Sequence, residues 1–343
     1  MKSVAEKSMV FHDTLALEEA IWSVKSFFME RLRQGLNLSR VVAPMLVESG
    51  LGINDDLNGV ERPLGFSSAA LDGRRVEVVQ SLAKWKRLKL AVAGVEPGRG
   101  IITDMRAIRP DESLSAIHSL AVDQWDWEMT MEPEQRNLEF LKLVVMRVYA
   151  AIKDTEGYVS SLFPELKTKL PAMITFIHAE DLQAKYPTLS PKERETAAAK
   201  EYGAIFVIGI GGLLADGEPH DGRAPDYDDW SSKTLPGKHG LNGDIIVWNS
   251  AIDSAFELSS MGIRVDSQAL ARQLRIHGAE HRSTYYFHQQ LLAGALPQSI
   301  GGGIGQSRLC MFLLRKQHIG EVQAAVWPIE DMKRSHVNGV RML

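Results

Sequence analysis

Between Leu17 and Leu32 apolar residues return every three or four positions, at Leu17, Ile21, Val24, Phe28 and Leu32, which predicts an amphipathic helix with one buried stripe. Val41-Val42-Ala43-Pro44 breaks the period. From Val76 the pattern shortens to β-rich runs, Val76 to Ala83, Ile101 to Arg109 and Val122 to Thr130, bounded by Gly, Pro and charged turns. These read as an antiparallel meander rather than repeated βαβ units. Helical spacing returns at Leu138, Leu141, Val145, Val148 and Ile152, and a third helix opens at the capping box Ser190-Pro191-Lys192-Glu193 and stops near Gly203. Strands are expected at Ala204 to Ile210, Ile245 to Asn249 and Phe256 to Val265. They are followed by a helix near Ser267 to Leu292, the glycine run Gly301-Gly302-Gly303-Ile304-Gly305, and a helix from near Ser307. The polar stretch from Leu213 to Gly243 is too long for a simple connection, and such loops in compact proteins are usually functional or disordered. No repeat or linker interrupts the chain, so one domain over residues 1–343 is expected.

Composition narrows the function. The 343 residues can bury a large core, and 39 Lys+Arg against 43 Asp+Glu give a formal charge of −4. That balance lacks the basic face needed for a broad grip on nucleic acid, so no nucleic-acid partner is expected. The single cysteine, Cys310, excludes an internal disulfide and a cysteine-rich zinc site and fits a reducing compartment. Met1 to Asp13 lacks the apolar run of a signal peptide, and no window reaches the length of a membrane span. A cytoplasmic location without a membrane partner is the expectation.

Candidate chemistry gathers in four places. In Val122 to Glu128, strand periodicity puts Gln124, Asp126 and Glu128 on one face and Asp123, Trp125 and Trp127 on the other. Alone, that alternation fits a solvated edge strand. Beside it, however, Arg109 ends the preceding strand and enters a loop carrying Glu112 and His118, and an arginine at the mouth of a polar strand face binds phosphate through its planar fork. Lys84 and Lys86 share strand parity, with Trp85 suited to a buried opposite side. The long loop supplies Asp221, Asp226, Asp228 and Asp229 around Arg223, and Asp244, Glu257, Ser259 and Ser260 follow. Oxygen donors beside a phosphate-binding arginine suit magnesium-nucleotide chemistry.

Gly301 to Arg308 is neither a P-loop nor a dinucleotide fingerprint. It reads either as a close approach of backbone to an anionic ligand beside a helix N-terminus, or as a tight strand-to-helix turn. His277-Gly278-Ala279-Glu280-His281 matches a zinc-protease pattern but lacks a third ligand, and is read as an exposed polar helix surface.

Together these segments resemble class II aminoacyl-tRNA synthetase catalytic cores. Pro44 after a long helix is similar to their first motif, Arg109 to Glu128 to the second, and Gly303 to Arg308 to the third. The closer resemblance, over nearly the whole chain, is to the ammonia-dependent asparagine synthetases, the aspartate-ammonia ligase family. Ser81 to Arg87, Val122 to Glu128, Arg223 to Trp230 and Phe256 to Arg264 carry it. The resemblance implies an α+β fold with an antiparallel sheet flanked by helices, a homodimer, ATP as co-substrate with Mg2+, and synthesis of asparagine from aspartate and ammonia through a β-aspartyl-adenylate. It further implies that Arg109 holds the α-phosphate, and that Arg308 stacks on adenine or meets the γ-phosphate. Asp244 and Glu257 would serve magnesium and nucleotide, with Arg223 and Asp228 also on the nucleotide side. Asp55, Ser81, Lys86, Gln124 and Asp126 match the amino-acid side, joined by Ser259 and Ser260, and Asp55 is the residue expected to guide or deprotonate ammonium. A tRNA-charging relative is disfavoured because no anticodon-recognition domain fits before the helix leading to Pro44. A noncatalytic paralogue is disfavoured because Arg109, Asp244, Glu257 and Arg308 are all present.

Overall fold

A computed structural model describes residues 13–55, 57, 61–337 and 339–343. The reading of Met1 to Asp13 as free of a signal peptide therefore lies, except for Asp13, outside the described residues. Asp13 caps helix α1 (Thr14–Gly35), its carboxylate accepting from the Leu15 N–H at 3.1 Å, and the predicted stripe from Leu17 to Leu32 is buried. Strand β1 (Leu38–Arg40) follows, then a small sheet built from β2 (Leu46–Glu48), β3 (Gly65–Ser67) and β4 (Arg75–Val78) in the order β2-β4-β3.

Helix α2 (Ala83–Ala93) overturns the strand expected to reach Ala83. Lys84 and Lys86 therefore share a helix, not a strand face, and both are buried while Trp85 is only half-buried. The reason is electrostatic: Lys84 pairs with Asp226 at 3.1 Å, and Lys86 is bound to Asp126 and donates to the Gly302 carbonyl at 3.0 Å. Buried ammonium groups are tolerated only with such partners.

The main sheet takes in β1, β5 (Gly100–Ile108), β6 (Ala121–Thr130), β7 (Thr175–His178), β8 (Ala204–Ile208), β11 (Asn242–Asn249), β12 (Ser254–Ile263) and β13 (Ser299–Gly305). Its order is β1-β5-β6-β13-β12-β11-β8-β7. The meander reading holds for β5 and β6, which pair antiparallel, but not for the first run, since β4 lies in the small sheet; β13 inserts between β6 and β12, and the two outermost pairs, β1 with β5 and β7 with β8, are parallel. Helix α3 (Leu138–Leu162) packs with α1 on one face of the sheet, where Phe28 meets Trp125 at a centroid distance of 4.6 Å. The predicted alternation in β6 holds: Trp125, Trp127 and Met129 enter this core, and the polar partners take the opposite face. It is not a solvated edge, however, since β6 is flanked by β5 and β13 and Glu128 is fully buried.

Helix α4 (Ala179–Lys185) leads to α5 (Pro191–Tyr202), which has the predicted capping box at Ser190 and Glu193 and ends at Gly203. The long stretch after β8 is not structureless. It contains the hairpin β9 (Lys233–Leu235) and β10 (Lys238–His239), and it buries Asp226, Asp228, Asp229 and Trp230. The single helix expected from Ser267 to Leu292 is two, α6 (Ser267–Ile276) and α7 (Tyr286–Leu292), divided at Gly278, which has φ +62°, and a 3₁₀ turn over Glu280–Thr284. The His277 to His281 pattern therefore spans a helix end rather than one helix surface.

The glycine run is a sheet strand. Helix α8 (Gln306–Leu313) begins directly after it, and α9 (Ile329–Val337) is the last helix among the described residues. Neighbouring side chains explain the composition: a Cβ on Gly301 would come within 1.9 Å of Glu128 Oε2, and one on Gly303 within 2.6 Å of Gln124 Oε1. Bare backbone is what lets these side chains lie across β13. No described helix is long and apolar enough to cross a membrane.

Candidate active site

The polar face of β6 forms the floor of an open cavity of about 420 Å³. Arg109, just past β5, sits at its mouth with its backbone N–H bonded to the Leu120 carbonyl at 2.9 Å. Among the described residues the guanidinium has a loose contact with Glu112 at 3.9 Å, and its buried Nε has no hydrogen-bond partner. A buried donor facing a cavity without an acceptor is costly unless a ligand supplies one. Arg223 Nε likewise has no partner among the described residues, while its Nη2 is bound to Asp244 and to Ser260 Oγ at 2.9 Å. Arg308, from the first turn of α8, donates to the Glu257 carbonyl at 3.0 Å and lies 3.7 Å from the Glu257 carboxylate.

The opposite end of the cavity is built from carboxylates held by buried cations. Lys86 rests on Asp126, with Glu128 at 4.0 Å. Arg264 binds Glu128 through two nitrogens, the closest contact being 2.8 Å, and also binds Asp228. Burial pushes the Asp228 carboxyl up, and the Arg264 guanidinium opposes that rise. Burial also acts on Glu257, but the attraction of Arg308, Arg223 and Lys192 outweighs it and lowers its pKa. Asp55 is buried, accepts from the Leu57 N–H at 3.1 Å, and is fixed through its carbonyl by Gln80 at 2.9 Å. Tyr227 borders the same space, its phenol driven well above the ordinary range by burial and then by the Asp55 charge. His118, on the loop after Arg109, is pushed down by burial and by the Arg308 charge.

Of the residues singled out from sequence, Asp55, Ser81, Lys86, Arg109, Gln124, Asp126, Arg223, Asp228, Glu257, Ser259, Ser260 and Arg308 all line this one cavity. Asp244 does not. It lies behind Arg223 in β11, with burial first and Glu257 second pushing it up to about 6 against the pull of Arg223. Sequence reasoning gave no site role to Glu112, Tyr227 or Arg264, which also line the cavity. Arg264 could have been found by its place at the end of a strand whose Ser260 points the same way; Tyr227 had no signal beyond its acidic neighbours.

A family profile described as aspartate-ammonia ligase matches residues 15–339. The chain belongs to the aspartate-ammonia ligase family. Relatives in that family include the aspartate-ammonia ligase of Parabacteroides distasonis, 56% identical over 326 residues that span 95% of this chain and 94% of the relative. The enzyme of Bacteroides fragilis is 55% identical, covering 94% of this chain and 93% of its own, and that of Clostridium perfringens is 51% identical over 95% and 94%. The fold of this chain is that of class II aminoacyl-tRNA synthetase cores. The asparaginyl-tRNA synthetase of Pyrococcus horikoshii complexed with asparaginyl-adenylate superposes with a TM-score of 0.67 at 16% identity, over 91% of this chain and 70% of that one. The asparaginyl-tRNA synthetase of Entamoeba histolytica gives 0.63 at 15% identity, over 92% and 69%.

Proposed function

We infer that this cavity makes L-asparagine from L-aspartate, ammonia and ATP through a β-aspartyl-adenylate, releasing AMP and pyrophosphate. Membership of the ligase family supports the reaction, and the joining of a cationic arm to a carboxylate-lined end in one cavity supports its chemistry. A carboxylate is a poor electrophile because its leaving group would be oxide. Attack of the aspartate side chain on the α-phosphorus replaces that leaving group with AMP. Arg109, with its unpartnered Nε, suits the charge that grows on the α-phosphoryl oxygens, since a preorganised donor acts most strongly in the transition state.

The donor set also fits Mg2+ in part. That ion takes one or two carboxylates and fills its other positions with phosphate oxygens and water, and Glu257 borders the cavity with its charge preserved. Asp244 joins only if it releases Arg223, and no group of three or more acidic, His or Cys side chains among the described residues could hold a metal alone. A magnesium ion at Glu257 would offset phosphate charge during adenylation.

Lys86, Ser81, Gln124 and Asp126 are assigned to aspartate and Asp55 to ammonium, with Ser259, Ser260, Asp228, Arg223 and Arg308 completing the substrate and nucleotide contacts. The chain is proposed to act as a single catalytic domain in a cytoplasmic homodimer without nucleic acid. The deciding assay measures AMP and asparagine from purified protein. Both should appear only when ATP, aspartate and ammonium are all present. AMP formation that ignores ammonium, or aspartate transfer to tRNA, refutes the reading.

A further inference from the structure

The chemistry above leaves Tyr227 without a task, although the backbone on either side of it is firmly held. Asp226 before it is pinned by Lys84 at 3.1 Å and His288 Nε2 at 3.0 Å, and Asp228 after it is bound to Arg264. Its own carbonyl accepts from the Val265 N–H at 2.9 Å, and the Arg264 guanidinium carbon lies 5.9 Å from its ring centroid. Tyr227 is half-buried and lines the same cavity as Asp55, Ser81 and Lys86. Burial and the Asp55 charge keep the hydroxyl protonated, so it remains a neutral oxygen able to accept a hydrogen bond.

An aspartyl-adenylate faces a selection problem. Water is a competing nucleophile at far higher concentration than ammonium, and it would return aspartate and AMP. The two differ in physical terms: ammonium carries a positive charge and four N–H donors, whereas water is neutral and also needs to donate to acceptors with only two. A subsite made of one carboxylate and one neutral oxygen acceptor favours the cation. With a guanidinium already near the ring, the oxygen of Tyr227 rather than its aromatic face is the group available to a second cation.

We propose that the Tyr227 hydroxyl and the Asp55 carboxylate together form the ammonium subsite, and that Tyr227 determines the choice of ammonium over water. This rests on the asparagine-forming reading given above. Ammonium donates one N–H to Tyr227 Oη and one to Asp55, which takes that proton. The freed nitrogen lone pair forms the N–C bond at the adenylate carbonyl, the C–O bond to phosphate breaks, and AMP leaves with its electron pair. The second surplus proton passes from nitrogen to the departing phosphate oxygen.

The test uses the full-length Tyr227→Phe protein, which keeps the ring and loses only the hydroxyl. Three readouts are compared with the parent: aspartate-dependent exchange of pyrophosphate into ATP, the ratio of asparagine formed to AMP released, and the KM for ammonium. Losing a hydrogen bond to a charged partner should raise that KM by about 10-fold or more. The asparagine-to-AMP ratio should drop below one as water intercepts the adenylate, and exchange should fall much less than amide formation. Hydroxylamine, uncharged at neutral pH, should form aspartyl hydroxamate with a smaller loss than ammonium suffers. An unchanged ammonium KM and an unchanged ratio overturn the proposal. So does equal loss of exchange, hydroxamate and asparagine, which assigns Tyr227 to aspartate or to the general integrity of the site. Failure of the underlying reading is separate and visible in the parent, as AMP formation that ignores ammonium.

Discussion

At the scale of single residues, Arg109 and Arg264 show how the same guanidinium serves two purposes. Arg264 is saturated by Glu128 and Asp228 and acts as a strut, whereas Arg109 keeps a buried Nε without a partner and is ready for an anion. Arg109→Ala is expected to lower pyrophosphate release by about 10²-fold or more, the scale of losing one preorganised donor. Arg109→Lys should not restore it, because a point charge lacks the planar fork. Stopped-time assays of pyrophosphate release give the comparison, and near-parental turnover in either variant removes Arg109 from the phosphate site. Sequence periodicity alone located this arginine at a strand end beside the face of Gln124, Asp126 and Glu128. It could not have told Arg109 from Arg264, because the difference lies in partners distant in sequence, Asp228 at 36 residues and Glu128 at 136.

At the scale of elements, the legible features were those whose cause is local. The α1 stripe, the α5 capping box and the β6 alternation depend on neighbours within a few residues and came through. Helix α2 did not, since its buried face carries Lys84 and Lys86 in place of apolar residues, and only Asp226 and Asp126 make that burial possible. Strand β13 was hidden for a related reason: Gly301 and Gly303 accommodate side chains arriving from β6 and Gly302 lies against Met261 of β12, so the glycines serve a strand rather than a turn. The geometry predicts opposite signs for one chemical change. Gly301→Ala forces a methyl group into the Glu128 carboxylate and the Arg264 guanidinium, and should destabilise the protein by roughly 3 kcal/mol or more, combining overpacking with a disturbed buried ion pair. Gly157→Ala, in α3 with open space around it, should instead stabilise by about 0.5–1 kcal/mol through helix propensity. Urea denaturation of both variants checks the pair, and matching shifts would show that the crowding at Gly301 is relieved by movement of β6.

For the molecule as a whole, the nitrogen source follows from its thiol content. Amide transfer from glutamine needs an activated nucleophile, usually cysteine. Cys310 is fully buried in α8, and burial pushes its thiol up to about 12, so it is a packing group. Cys310→Ser should therefore retain ammonium-dependent synthesis, and ammonia-free glutamine should yield no glutamate; glutamine hydrolysis abolished by that substitution would overturn the expectation. A different consequence comes from the position of β13, the latest in sequence of the described strands of the main sheet yet the one seated between β6 and β12. Until Ser299 to Gly305 has emerged, β6 and β12 have unsatisfied edges of the kind that invite pairing with other chains. Lys86 also lacks the Gly302 carbonyl, and Arg308 has not been made. On the proposed assignment of Lys86 and Arg308 to the substrate site, a growing chain would lack a working site until this strand and the start of α8 are in place. Completing the keystone strand brings the ladder, the charge network and catalytic competence together in one late, non-local step, which is also the interval in which a nascent-chain chaperone would matter most.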